Sequence, residues 1–190
     1  MRNLLPAVSM ALALAACAQE TPEPADKSAD TSAGTSAAPA GERLASPRDT
    51  AVAVIGGDTV LVDYGRPSRR GREIFGALVP WGQVWRTGAN GATTLVLGGA
   101  AELGGTPVAA GTYTLYSLPT PEGWTLIVNG QSGQWGTEYA EARDVARIPM
   151  TVSRIEPVDT FRIEVAGGET EGRLTFAWDT LQGTVTLRAR

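Results

Sequence analysis

Short runs in which apolar and polar residues alternate occupy the chain from Pro47 to Arg190. The alternation is cleanest at 161–165, 174–178 and 185–189, where every second residue is apolar. Such a pattern gives a strand one buried and one solvated face, which is typical of antiparallel sheets. Further candidate strands cover residues 51–55, 59–64, 93–97, 112–118, 124–128 and 145–152. About nine or ten strands predict a single all-β domain, an antiparallel β-sandwich or a flattened barrel.

Glycines mark the connections between these strands. Gly56-Gly57-Asp58 lies between the first two candidate strands and predicts a tight hairpin, because glycine tolerates a positive φ. Gly98-Gly99 and Gly104-Gly105 bracket a second hairpin. No segment of ten or more residues carries a 3.6-residue period, so no long helix is expected.

One stretch lacks both alternation and tight turns. Residues 65–91 contain six glycines, five arginines, two tryptophans and a single acid, Glu73. A loop of this length inside a compact domain is uncommon and often functional. This Gly/Arg/Trp-rich segment is therefore the first place to look for a binding site.

Arginine and tryptophan in one loop indicate a ligand with negative charge and a flat face. A guanidinium presents five donors in a planar fork, which suits carboxylate, phosphate or sulfate, and indole rings provide walls for a sugar. The segment therefore suggests a site for an anionic glycan or a small acidic ligand. Its candidate residues are Arg66, Arg70, Arg72, Trp81, Trp85, Arg86, Asn90 and Trp135.

The same residues also admit a purely structural interpretation. A long loop must pair its buried carbonyl groups, and arginine side chains can supply the donors. Arg66, Arg72 and Arg86 would then satisfy such carbonyls, or would pair with the acids Asp63, Glu73 and Asp179, while Trp85 fills the core. The sequence alone leaves both interpretations open.

The N-terminus has the pattern of an export signal. Residues 1–16 join a basic start to an apolar run that is too short to span a bilayer. The segment Leu14-Ala-Ala-Cys17 resembles the bacterial lipobox, which implies lipid attachment at Cys17; an ordinary secretory signal is the alternative. Residues 17–46 then form an Ala-, Pro-, Ser- and Thr-rich tether, and 47–190 form the domain. Ala18 after the cysteine resembles outer-membrane sorting in Gram-negative cells.

Composition removes many enzyme classes. The chain has no histidine and one cysteine, and its only lysine, Lys27, lies in the tether. Imidazole catalysis, His-ligated metals, internal disulfides and lysine Schiff bases are therefore excluded, and neither a cofactor nor a metal is expected. From residue 47 onward, 15 acids balance 13 arginines, which argues against nucleic-acid binding.

A carboxylate-dependent hydrolase, similar to a glycosidase, is the enzymatic alternative. Its only local acid cluster is Glu138, Glu141 and Asp144, with Tyr139 and Arg143 interleaved. These acids could share one side of a helical turn, but the same spacing also fits a solvated turn before the strand at 145–152.

The Gly/Arg/Trp-rich segment at 65–91 resembles a bacterial family of secreted proteins and lipoproteins, catalogued as domain of unknown function 2911. The similarity rests on Tyr64-Gly-Arg-Pro-Ser, Gly71-Arg-Glu-Ile-Phe-Gly, Leu78-Val-Pro-Trp-Gly and Val84-Trp-Arg-Thr-Gly-Ala-Asn90. It extends from about Ser46 to the C-terminus. The resemblance implies an exported, β-rich domain, often behind a signal or lipobox, and supplies no catalytic residues.

These observations predict a lipid-anchored cell-envelope protein, most simply a non-catalytic binding or interaction module. Expected partners are the membrane, through the N-terminal lipid, and either an anionic small molecule or glycan or another envelope protein. A structural scaffold that docks by strand addition or a tryptophan patch is a further alternative.

Overall fold

The computed structural model describes residues 45–190, and this part of the chain is all-β. The predicted signal peptide, Cys17 and nearly all of the tether lie outside the described residues. One short 3-10 turn, Glu141–Arg143, precedes the eighth strand. The strands are β1 (Arg48–Ile55), β2 (Asp58–Gly65), β3 (Thr93–Leu97), β4 (Ala101–Leu103), β5 (Thr106–Val108), β6 (Gly111–Pro119), β7 (Trp124–Asn129), β8 (Asp144–Ala166) and β9 (Glu171–Ala189).

The nine strands form one antiparallel sheet in the order β1-β2-β3-β6-β7-β8-β9-β4-β5. Strand β8 connects its two halves, because 144–150 pair with β7 and 151–166 pair with β9. Apolar residues from both halves belong to one buried cluster. The sheet does not close into a barrel, but the all-β prediction is confirmed and the fold agrees with a sandwich or flattened barrel.

The structure joins elements that alternation had separated. The candidate strands 145–152 and 161–165 are parts of β8, and 174–178 and 185–189 are parts of β9. In the middle of the β8–β9 pairing the register is irregular. Arg154 pairs with Leu181 and Arg162 pairs with Ala177, so β8 advances eight residues while β9 advances four. The extra residues of this β8 bulge break the period of two in β8, which explains why that long strand resembled two short ones.

Both glycine-marked hairpins are present, the second in a different position from that expected. Gly56 and Gly57 connect β1 to β2 with φ of 61° and 89°. Gly104 and Gly105 form the turn between β4 and β5 rather than one end of a longer hairpin. Three-residue strands are too short to show alternation, so β4 and β5 were not predicted individually.

The long loop, residues 66–92, is anchored to the β8 bulge by backbone hydrogen bonds. Arg69 N donates to Asp159 O at 2.7 Å, and Phe161 N donates to Pro67 O at 2.9 Å. Between them Ser68 and Thr160 form an antiparallel bridge, with their hydroxyl oxygens 3.0 Å apart. The loop therefore satisfies backbone groups that β9 leaves unpaired where β8 bulges.

A second part of the loop extends the sheet beside β6. Trp85 N donates to Ser117 O at 2.7 Å, and Ser117 N donates to Trp85 O at 2.9 Å. Strand β3 pairs with β6 only as far as Leu115. The segment around Trp85 thus takes over as the neighbour of β6 where β3 is absent.

Aromatic packing fixes the loop to the core. Trp85 stacks on Trp178 at a centroid distance of 5.7 Å and an interplanar angle of 20°, and contacts Phe161 edge-on at 5.1 Å. Phe75 contacts Trp85 at 6.5 Å and Trp124 at 4.8 Å. Loop and sheet aromatics form one cluster, so this irregular segment is part of the hydrophobic core.

Among the residues described, no helix has the length and hydropathy needed to cross a membrane.

We predict that Trp85→Ala destabilises the domain by about 3 kcal/mol, because it removes a large ring packed between Phe161 and Trp178. Trp135→Ala is the matched control, since that side chain is 54% exposed and should cost less than about 0.5 kcal/mol. Urea unfolding measured by circular dichroism gives both values. Equal losses for the two variants would contradict the assignment of Trp85 to the core.

Candidate functional site

A large cleft, with a volume of about 530 Å³, opens beside the β8 bulge. One wall comes from the long loop, a second from the β6–β7 turn, and the floor from β8 and β9. Its lining combines aromatic, carboxylate and small residues: Glu73, Phe75, Trp81, Thr120, Pro121, Glu122, Gly123, Trp124, Val152, Ser153, Arg154, Asp179, Thr180 and Leu181.

The aromatic wall of the cleft is Trp81 with Phe75 and Trp124 behind it. Trp81 stacks on Phe75 at 5.9 Å and 24°, and Trp81 remains 36% exposed. Trp124 is buried, and its indole Nε1 has no hydrogen-bond acceptor among the residues described. A buried donor without a partner is uncommon and requires a physical explanation.

Charged groups of both signs line the same cleft. Asp179 pairs with Arg69, whose Nη1 lies 2.9 Å from Asp179 Oδ1. Glu73, Glu122 and Arg154 take part in none of the ion pairs between described residues. All three residues are exposed, so their carboxylate oxygens and guanidinium N–H groups can be reached from solvent.

Asp179 has an unusual backbone conformation at the floor of the cleft. Its φ is 51°, in the left-handed region that non-glycine residues rarely adopt, although aspartate tolerates it better than most. It pairs with Val158 inside the β8 bulge, with register shifts on both sides. Strained residues of this kind cluster at functional sites.

The candidate residues from the sequence do not converge on one pocket. Trp81 lines the large cleft, whereas Trp85 and Arg86 line a separate groove of about 210 Å³ together with Tyr116 and Tyr139. Neither lining includes Arg66, Arg70, Arg72, Asn90 or Trp135. Asn90 Nδ2 donates to Ser46 O at 3.4 Å, and the Trp135 side chain is exposed.

The loop arginines hydrogen-bond to carbonyls or pair with acids of the domain. Arg72 donates to Arg69 O at 3.0 Å and to Ser68 O at 2.7 Å. Arg70 donates to Ala45 O at 3.0 Å, and Arg86 donates to Gly88 O at 3.3 Å. Carbonyl capping is what the structural interpretation anticipated for Arg72 and Arg86.

The expected acid partners of these arginines differ from those observed. Arg66 Nη1 lies 3.0 Å from Asp49 Oδ2, whereas Asp63 pairs with Arg48 and Asp179 with Arg69. The guanidiniums of Arg66, Arg70 and Arg72 thus contact three different partners: a carboxylate at Asp49, the carbonyl of Ala45, and the carbonyls of Ser68 and Arg69.

The acid cluster at 138–144 surrounds the 3-10 turn, and two of its members, Glu141 and Asp144, pair with Arg147. Asp144 Oδ2 accepts from Tyr139 Oη at 2.6 Å and from Arg147 Nη1 at 2.8 Å. Asp144 Oδ1 accepts from Asn129 Nδ2 at 2.8 Å. Burial and the Asp144 hydrogen bond raise the pKa of Tyr139 to about 12. With both oxygens of Asp144 occupied, the network fastens the turn to β7 and β8.

Several residues that line the cleft are not among the binding residues predicted from the sequence. For two of them, the sequence contains a weak indication of an unusual position. Asp179 directly follows the regular run 174–178, where a charged residue interrupts a strand for no evident reason. Glu122 lies in the Pro-Glu-Gly turn between β6 and β7. Arg154 and Trp124 carry no comparable signal, because Trp124 begins an ordinary candidate strand and Arg154 lies between two of them.

Comparison with known proteins places the chain in a family. Residues 46–187 match the family model described as protein of unknown function (DUF2911), so the chain belongs to that family. No curated protein and no solved structure matches it. Within residues 45–190, no group of three or more His, Cys, Asp or Glu side chains is placed to hold a metal ion.

We predict that Tyr139→Phe makes stability less sensitive to alkaline pH. Because the folded-state pKa of Tyr139 is raised from 10.0 to about 12, its neutral hydroxyl stabilises the fold below pH 10, and this contribution disappears as pH rises towards 12. Unfolding free energy measured across that window should fall less steeply in Tyr139→Phe than in the parent.

Tyr113→Phe is the control for this experiment, since the Tyr113 hydroxyl donates to Ala109 O at 3.0 Å in an exposed position. An unchanged slope for Tyr139→Phe, or an equal change for both variants, would contradict the role given to the Tyr139–Asp144 hydrogen bond.

Proposed function

We propose that this protein is a lipid-anchored cell-envelope module that binds a small ligand without transforming it, and that the cleft beside Trp81 is the binding site. The observation that carries the proposal is the combination, in one open cleft, of the exposed Trp81 ring with charged groups that form no ion pair with another described residue. Sites for small molecules typically join apolar walls to a few polar groups in this way.

The volume and construction of the cleft support binding. About 530 Å³ lies within the usual range of 300 to 1,000 Å³ for small-molecule sites. Glu73, Phe75 and Trp81 belong to a loop that is fixed to β6 and β8 by backbone hydrogen bonds. A wall fixed before the ligand arrives loses little conformational entropy on binding.

The lipid anchor is supported by the N-terminal sequence. An apolar run that ends in Leu14-Ala-Ala-Cys17 fits export and acylation, and two or more acyl chains give stable membrane attachment. The polar tether to residue 46 would hold the domain away from the lipid headgroups. The module would then collect its ligand at the surface of the envelope.

A carboxylate-dependent hydrolase is the second candidate, because Glu73, Glu122 and Asp179 line the same cleft. Glycoside hydrolysis needs two carboxyl groups about 5 to 9.5 Å apart on either side of the scissile bond. A binding module returns its ligand intact, whereas a hydrolase consumes it, so chromatography of the ligand after incubation separates the two.

We predict that Cys17→Ser moves the protein from the membrane fraction to the soluble fraction, because the acylated thiol is the proposed anchor. Ser36→Ala, in the tether, is the control and should remain with the membrane. Fractionation followed by immunoblotting gives the distribution, and mass spectrometry of the N-terminal peptide detects the acyl chains. Unchanged partitioning of Cys17→Ser would exclude the anchor.

The binding site is tested by filling the cleft. Gly123 lines it, and a Cβ at this position would meet no atom within 4 Å, so Gly123→Phe adds a ring with little strain. A thermal-shift screen of the purified mature protein against sugars, nucleotides, carboxylates and divalent ions should yield a ligand that stabilises the parent. At about 100-fold above its dissociation constant, that gain is about 2.7 kcal/mol.

The same ligand should not raise the melting temperature of Gly123→Phe, while Trp135→Ala should respond like the parent. A ligand that stabilises Gly123→Phe and the parent equally would place the site elsewhere. If no compound stabilises the parent, the binding function itself is wrong.

A further inference from the structure

We infer that the cleft beside Trp81 takes a neutral saccharide, with a sugar ring against the Trp81 indole and its hydroxyl groups paired with Glu73, Glu122 and Arg154. This inference rests on the proposed function, since it names the ligand class for the same cleft. It differs from the expectation of an anionic ligand that the loop arginines suggested.

Trp81 provides a preorganised stacking surface. One face of the indole lies on Phe75 at 5.9 Å, and Phe75 is itself held by Trp124 at 4.8 Å. Gly76 admits the indole, because a Cβ at that position would lie 2.7 Å from Trp81 Nε1. A tryptophan supported on one side and 36% exposed can accept the C–H face of a sugar ring without rearranging.

The polar groups of the cleft match hydroxyls better than ions. Glu73 and Glu122 are acceptors, and Arg154 is a donor; none of the three has an ion-pair partner among the described residues. A hydroxyl group donates and accepts, so one sugar can satisfy both kinds of partner. Hydrogen bonds to these charged groups are stronger than those between neutral groups.

Ionic ligands meet a like charge in this cleft. A carboxylate or phosphate would be repelled by Glu73 and Glu122. The nearby cation Arg69 is already paired with Asp179. A cation would approach Arg154. A neutral ligand with several donors and acceptors meets no repulsion of either sign.

The test titrates the purified mature protein, in a detergent without a sugar headgroup, with four kinds of probe. These are neutral oligosaccharides (cellotriose, maltotriose and chitotriose), glucuronate, inorganic phosphate and tetramethylammonium. Binding is measured by thermal shift and by isothermal titration calorimetry. We expect at least one neutral oligosaccharide to bind, with an affinity that changes less than about twofold between low and about 0.5 M salt.

Matched variants locate that binding. Trp81→Ala should weaken it at least about tenfold, and Glu122→Gln should weaken it while preserving the fold. Trp135→Ala removes an equally large, exposed indole outside the cleft and should leave the affinity unchanged.

The outcomes separate this inference from the proposed function. Salt-sensitive binding of glucuronate, phosphate or tetramethylammonium without any neutral oligosaccharide overturns the ligand class, but it leaves the cleft as a binding site. Saccharide binding that Trp81→Ala does not weaken overturns the assigned position. If none of the probes binds, the neutral-saccharide assignment is wrong, and only a ligand of another class from the broader screen would preserve the binding function.

Discussion

The β8 bulge is the constraint on which the rest of the structure depends. Where β8 advances eight residues against four of β9, backbone groups lose their strand partners, and buried groups of this kind must be paired. Residues 67–69 of the long loop pair them, so Arg69 N meets Asp159 O and Phe161 N meets Pro67 O. The cleft opens beside this junction, with Asp179 at its floor in a left-handed conformation.

Anchoring at the bulge determines what the loop residues can do. Phe75 and Trp85 join the core aromatics, and Arg72 and Arg86 donate to loop carbonyls, which keeps an irregular chain in one conformation. Most of the loop therefore supports the site rather than touching a ligand. Only its Glu73–Trp81 portion reaches the large cleft, where an aromatic wall lies beside the exposed charged residues Glu122 and Arg154.

Strands with an uninterrupted period of two could be predicted from the sequence, because alternation records one buried and one exposed face. Thr93–Leu97 is β3 as expected, whereas the continuity of β8 could not be predicted, since a bulge destroys the local period. The unusual character of the long loop is evident in the sequence, but the contacts of its arginines are not. Which carbonyl a guanidinium reaches depends on tertiary contacts, and Glu122, Arg154 and Asp179 meet only through the folding of distant strands.

Native-state hydrogen exchange of the Arg69, Trp85 and Phe161 amides is the most direct test of a loop that is fixed to the sheet. These amides donate to Asp159 O, Ser117 O and Pro67 O, so they should open only with the sheet and exchange as slowly as the amides of β6 and β7. Exchange of Arg69 and Trp85 at the rate of an exposed loop, while β6 and β7 remain protected, would contradict a rigid cleft wall.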